Sequence, residues 1–178
     1  MKLKHVIGLK NLFESTDHNL EAYARKHGLG ELSWEGSGDM GEAYSTEKNT
    51  ILKTTSDDTE IDYAKMLVGK KLDNVVDIYD VDGYIIHMEY LNTDHIEDLY
   101  GAAMNYSEYG SFEDIDIDDH DDIDDELKEF IMGVQDGMTQ LQHNGVNNLD
   151  LKDDNIGRKS NGQYAIFDMS SAKGNNRY

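Results

Sequence analysis

Cysteine is absent from this 178-residue chain, which excludes disulfides and thiolate chemistry. Proline is absent too, and the composition offers no physical reason for it. No apolar run approaches the ~18 residues that a membrane span requires. Met1-Lys2-Leu3-Lys4-His5 opens without the apolar stretch of a secretory signal. A cytoplasmic protein is the expectation. Positive charge is scarce: 16 Lys and Arg stand against 37 Asp and Glu, for a formal charge of −21. A field of that sign repels nucleic-acid backbones and acidic membrane surfaces. No membrane partner and no direct nucleic-acid binding are therefore expected. Metal ions, basic peptides and proteins that themselves bind nucleic acid are the partners it favours, although solubility alone also accounts for surface acid. What the chain does have is 38% hydrophobic residues, enough for a core, and length for one compact domain or two small lobes sharing one.

Residues 1–30 read as mostly helical, with Ser15-Thr16-Asp17 as a cap, Leu20, Tyr23 and Ala24 at helical spacing, and Gly28 and Gly30 as the stop. Short strands follow at Leu32-Ser33-Trp34, Ala43-Tyr44-Ser45 and Ile51-Leu52-Lys53. A helix is predicted from Thr59 to Lys70, capped by Asp57 or Asp58, with Ile61, Ala64, Leu67 and Val68 as its apolar stripe. Residues 75–79 and 83–88 read as a hairpin. From Glu113 to Glu126 the chain is nearly a polyanion, and like charges this dense predict a solvated loop. Asp114-Ile115-Asp116-Ile117-Asp118 has the opening of an EF-hand loop, but Asp119 occupies the position that needs Gly, so Ca²⁺ binding is not expected. Leu127, Phe130, Ile131, Val134, Met138 and Leu141 then mark an amphipathic helix. A turn at Ser160-Asn161-Gly162 leads to a final strand at Tyr164-Ala165-Ile166-Phe167.

Gly36-Ser37-Gly38-Asp39-Met40-Gly41 reads G-x-G-x-x-G. A dinucleotide site would need a helix to open there. Here a strand, a turn and another strand follow, ending at Lys53. A glycine-tipped hairpin can fold over a triphosphate and offer it backbone N–H groups; an ordinary hairpin turn explains the string equally well. Lys53 can reach phosphates from its strand or simply point to solvent. Glu60, on the inward face of the next helix, can hold such a lysine or complement the helix dipole. The sharpest signal is Asp150-Leu151-Lys152-Asp153-Asp154-Asn155, D-L-K-x-x-N, followed by Asp168 at the end of an apolar strand. A hairpin between Asn155 and Asp168 would bring an amide and a carboxylate together as a hard, all-oxygen Mg²⁺ site. Asp150 could accept a hydroxyl proton, and Lys152 could neutralise a transferring phosphoryl group.

In this order the pieces resemble the protein kinase superfamily. Leu141-Gln142-His143-Asn144-Gly145-Val146-Asn147-Asn148-Leu149-Asp150 is similar to the family's approach to its catalytic loop, and Met88-Glu89-Tyr90-Leu91 to the hinge whose backbone holds adenine. The resemblance spans about Leu32 to Lys173. It implies an α+β, two-lobed fold with a truncated C-terminal lobe. Residues 1–91 would form an N-terminal segment and ATP-binding lobe, 92–126 an acidic insertion, and 127–178 a reduced catalytic lobe. It implies ATP with Mg²⁺, or Mn²⁺ in its place. Asp150, Lys152 and Lys53 would be catalytic, and Asn155 and Asp168 would be metal ligands. Gly36, Ser37, Gly38, Gly41, Ala43, Lys53, Glu60, Glu89 and Leu91 would contact the nucleotide. Lys152 is typical of Ser/Thr protein kinases, and the short form looks most like those of tailed bacteriophages. That implies host proteins as substrates in the host cytoplasm, basic ones by charge. Departures are Asn148 in place of a His, Asp168-Met169-Ser170 in place of D-F-G, and no A-P-E segment or substrate-binding helices after Asp168. A pseudokinase, a small-molecule phosphotransferase and an acidic binding or inhibitor protein that mimics nucleic acid are the alternatives.

Overall fold

The structure, a computed structural model, describes residues 19–38, 40–147, 149 and 151–169. The expected cap at Ser15-Thr16-Asp17 lies outside them, as do Asp39, Asn148, Asp150 and Ser170.

The architecture is α+β. Five antiparallel strands, β1 (Leu32–Ser37), β2 (Gly41–Thr46), β3 (Thr50–Thr55), β4 (Ile78–Asp82) and β5 (Ile85–Glu89), form one sheet in the order β1-β2-β3-β5-β4. A helix at 19–27, α1, precedes it. Leu20, Tyr23 and Ala24 of α1 bury against Leu52 and Ile85 on one sheet face. The other face receives α2 (Asp58–Leu67), whose Ala64 and Leu67 pack with Ile78, Ile86 and Met88. Because strand side chains alternate, Leu52 goes to α1 while Ile51 and Lys53 turn to the α2 face. Gly28 and Gly30 stop α1 with φ of +65° and +80°.

Asp57 caps α2, accepting from Thr59 N–H at 2.9 Å. The helix ends at Leu67, earlier than predicted, because Val68 is extended and Gly69 has φ +73°. The predicted hairpin is present but shifted. Val75 and Val76 do not join β4; they are drawn away by β7 (Tyr164–Ile166), where Val76 donates to the Ile166 carbonyl at 2.9 Å.

The second half differs most from expectation. Ile96–Met104 is a helix, α3, that the sequence did not announce. The acidic run is not a plain solvated loop. It makes single 3-10 turns at Phe112–Asp114 and Ile117–Asp119 and buries Phe112, Ile115 and Ile123. The acids face outward while these apolar residues, interleaved among them, join α3 and the long helix α4 (Asp125–His143) in one core with Phe130, Ile131 and Val134. Gln135 fastens this strap by donating to the carbonyls of Phe112 and Ile115, at 2.8 and 2.9 Å. α4 follows the predicted stripe and is capped by Asp124, which accepts from Leu127 N–H at 2.8 Å. Gly137 lets α4 approach closely, since a Cβ there would stand 2.5 Å from the Asn74 carbonyl.

The chain closes with a two-stranded hairpin, β6 (Ile156–Arg158) and β7, around the expected turn, where Gly162 has φ +94°. Two isolated β-bridges are among the contacts that stitch it to the first half. Val75 bridges Ile166, and Asn92 bridges Arg158 through bonds of 2.9 and 2.7 Å. No helix among the described residues is long and apolar enough to cross a membrane.

Candidate active site

The glycine string forms the β1–β2 turn. Gly38 N–H donates to the Gly41 carbonyl at 2.9 Å, and Ser56 N–H donates to Met40 at 2.8 Å. Only Gly41 has a steric need to be glycine: a Cβ would lie 1.7 Å from the Thr54 carbonyl. Around Gly36 and Gly38 nothing lies within 4 Å of where a Cβ would stand, so the tip borders open space. Ser37, between them, is exposed.

Directly across from Lys53 on β2 is Ala43, and across on β5 is Ile86. Opposed residues share a sheet face, so Lys53 emerges between a short side chain and an apolar one, toward α2. There its ammonium meets Glu60 at 2.5 Å and Asp168 at 2.8 Å. Glu60 stands in the first turn of α2 and is only 2% exposed. Both readings of Glu60 therefore hold at once: it starts the helix and it grips the lysine. Burial works against the charge on Lys53, but the two carboxylates outweigh it and hold the pKa above the ordinary lysine value. The ammonium is kept.

The hairpin expected between Asn155 and Asp168 is present as β6 and β7. Asn155 ends a 3-10 turn at Asp153–Asn155 and is buried. Its carbonyl accepts from Phe167 N–H at 2.9 Å, extending the β6–β7 ladder by one step. Asp168 is the next residue, so Asn155 and Asp168 follow each other across the open end of the hairpin. Met169, buried, anchors the strand end in the core with Ala165 and Ile166. The structure thus joins Lys53, Glu60 and Asp168 directly, while Asn155 pairs through its backbone with Phe167, the residue before Asp168. Lys152 caps the Asp153–Asn155 turn and is exposed. The position of Asp150 is outside the described residues.

Glu89 and Leu91 occupy the expected connection after β5. Glu89 pairs with Thr50 in register, and its N–H donates to the Asp77 carbonyl at 2.9 Å. Leu91 is buried against β6, where Gly157 admits it: a Cβ on Gly157 would lie 2.7 Å from the Leu91 Cβ. The Glu89 carboxylate has a partner that the sequence did not reveal, Lys159, at 3.5 Å. A lysine beside a turn gives no sequence signal of being buried.

The donor set suits a polyphosphate with a hard divalent cation. One carboxylate and one amide oxygen are an ordinary protein share for Mg²⁺, which keeps water and takes phosphate oxygens for the rest. Among the described residues no three His, Cys, Asp or Glu side chains gather as a self-sufficient metal cluster. Two open clefts lie elsewhere, one between α1 and the start of β1, the other between the acidic strap and α4. The second also holds a lysine, Lys128, an amide, Gln135, and acids of the strap, but that amide is spent on the Phe112 and Ile115 carbonyls, whereas Lys53 is gripped by two carboxylates from separate segments. Compared with protein-family models and with curated proteins, the chain matches none.

Proposed function

We propose that this chain transfers the γ-phosphoryl group of ATP to Ser or Thr hydroxyls of proteins, within a two-lobed, protein-kinase-like fold whose C-terminal lobe is reduced. The junction at Lys53 carries the reading. A lysine on the strand after a glycine hairpin is gripped by a helix acid, Glu60, and by Asp168, which lies one residue past Phe167, the backbone partner of Asn155. A structural ion pair needs one acid; two acids from separate segments hold the ammonium in a fixed place.

Bound Mg²⁺–ATP supplies the transferable group and neutralises its oxygens. The chain's own residues orient and stabilise. Lys53 presents its ammonium to phosphate oxygens, with Glu60 fixing its direction. Asn155 and Asp168 would hold the divalent ion. Asp150 accepts the hydroxyl proton, and Lys152 offsets charge on the moving phosphoryl. The Gly36–Gly41 turn, with Ser37 at its tip, would cover the phosphates, Ala43 would leave room for the base across from Lys53, and the backbone of Glu89 and Leu91 would hold adenine. Such a site works by positioning and preorganised charge. The same reading takes in a likeness to the Ser/Thr kinases of tailed bacteriophages, with host proteins in the host cytoplasm as substrates. The charge of −21 favours basic ones. A pseudokinase that binds ATP without turnover is the second reading, favoured by Asn148 and Met169 at positions where the family has other residues.

Incubation with γ-labelled ATP and Mg²⁺, alone and with a bacterial lysate, tests these readings. Label on protein is expected. Label confined to small molecules selects a metabolite kinase, and ATP binding without transfer selects the pseudokinase. Neither binding nor transfer overturns the proposal.

A further inference from the structure

Lys159 is 8% exposed, an uncommon place for a lysine. It stands just after β6, and its ammonium donates to the Leu72 carbonyl at 2.9 Å. The carboxylates of Asp77 and Glu89 each lie 3.5 Å away. Both acids belong to the first half of the chain, Asp77 before β4 and Glu89 at the end of β5. They are fixed to each other as well: Asp77 N–H donates to the Glu89 carboxylate at 3.4 Å, and Glu89 N–H to the Asp77 carbonyl at 2.9 Å. Lys71 also pairs with Asp77, but it is exposed, so its charge is screened by water.

A lysine loses solvation on burial and stays charged only where partners replace the water. Apolar packing would hold two segments together at least as well. What an ion pair adds is a defined geometry. The segments defined here matter for the site. The hairpin that carries Lys159 presents Asn155 before β6 and Asp168 after β7. The strand that ends at Glu89 pairs with Lys53 through Ile86.

We propose that Lys159 is a positioning residue. By holding Asp77 and Glu89 against the β6–β7 hairpin, it sets where Asn155 and Asp168 stand relative to Lys53. This role rests on the phosphotransfer reading, and its test separates the two. In Lys159→Met the KM for Mg²⁺–ATP is expected to rise about tenfold, and kcat/KM to fall by about 10–100-fold, the scale of a misplaced reacting group. A merely destabilised protein would lose active molecules, lowering apparent kcat at an unchanged KM. Lys159→Arg should restore most of the KM, and Lys71→Met should leave it as in the parent. Amide exchange supplies a readout independent of activity. The N–H groups of Val76 and Asn92, which donate to Ile166 and Arg158 across the two halves, should exchange faster in Lys159→Met. If that variant does not fold, Glu89→Gln probes the same pair from its other side, with the same expected directions. An unchanged KM, or unchanged exchange at both amides, overturns the proposal. A parent protein that transfers no phosphate overturns the phosphotransfer reading instead, and the exchange measurement then decides by itself whether Lys159 holds the hairpin.

Discussion

Glu60 is the acid whose environment leaves it least freedom, since it is 2% exposed and its cation is Lys53. Lys53→Met therefore strands a buried carboxylate, and a loss of about 3–5 kcal/mol is expected in urea unfolding. Adding Glu60→Leu should recover most of it; if the double variant is as unstable as the single, the pair is not the cause. The pH dependence follows from the raised pKa of Lys53. The folded state binds its proton more tightly than the unfolded chain, so this stabilisation is fully present below about pH 10.4 and fades as pH rises through the higher folded value. Unfolding midpoints measured up into that alkaline range should drop more steeply in the parent than in Lys53→Met/Glu60→Leu. For chemistry, Asp150→Ala is expected to leave ATP binding nearly intact and to slow turnover by about 10²–10⁴-fold, the usual scale for a general base. Asp168→Asn should weaken metal-dependent ATP binding, because a charged ligand is lost. Mg²⁺–ATP affinity equal to the parent's would remove Asp168 from the metal site.

Among the elements, the acidic strap is where sequence and structure part most. Phe112 is 2% exposed and lies edge-on to Tyr100 and Phe130. Phe112→Ala should cost about 3–5 kcal/mol in thermal or urea unfolding. Replacing the outward acids Asp118, Asp119 and Asp121 with Asn should change stability little. A near-neutral Phe112→Ala would mean that the strap is not packed. The reason this segment was hard to read is physical. Its apolar residues are isolated among acids and, beyond the brief alternation at Ile115 and Ile117, follow no period, so charge density dominates any sequence reading while burial depends on α3 and α4 as partners. α3 was missed for a related cause: it begins at His95 in a left-handed conformation with no side-chain cap, so the usual start signal is absent. Elements with a full period, such as α4, β3 and the glycine hairpin, were legible. So was the pairing of Lys53 with Glu60, because strand alternation and helix phase fix it; the grip of Asp168 on Lys53 was not, because it joins segments 115 residues apart. Lys159 and Asp77 were not, because their meeting depends on tertiary stitching that leaves no local pattern.

The charge of −21 acts on the molecule as a whole. Self-repulsion opposes compactness, and the range of that repulsion shrinks from about 30 Å at 0.01 M salt to about 3 Å at 1 M. The melting temperature should therefore rise with salt, while phosphorylation of basic proteins falls, because the same field attracts them. Neutralising the acids from Asp114 to Asp125 should reproduce the second effect and leave ATP affinity unchanged. A basic-protein rate indifferent to both salt and these substitutions would show that the field does not choose the substrate. The pairing of Lys53 with Asp168 spans 115 residues of chain, and this has a consequence for biosynthesis. A ribosome that has released the whole five-stranded sheet has yet to make the last member of the cluster; at about 5–20 residues per second, Asp168 follows Lys53 by on the order of ten seconds. During that interval the nascent polypeptide holds Lys53 and Glu60 without their third partner. A site built on all three partners therefore stays incomplete until Asp168 has been synthesised.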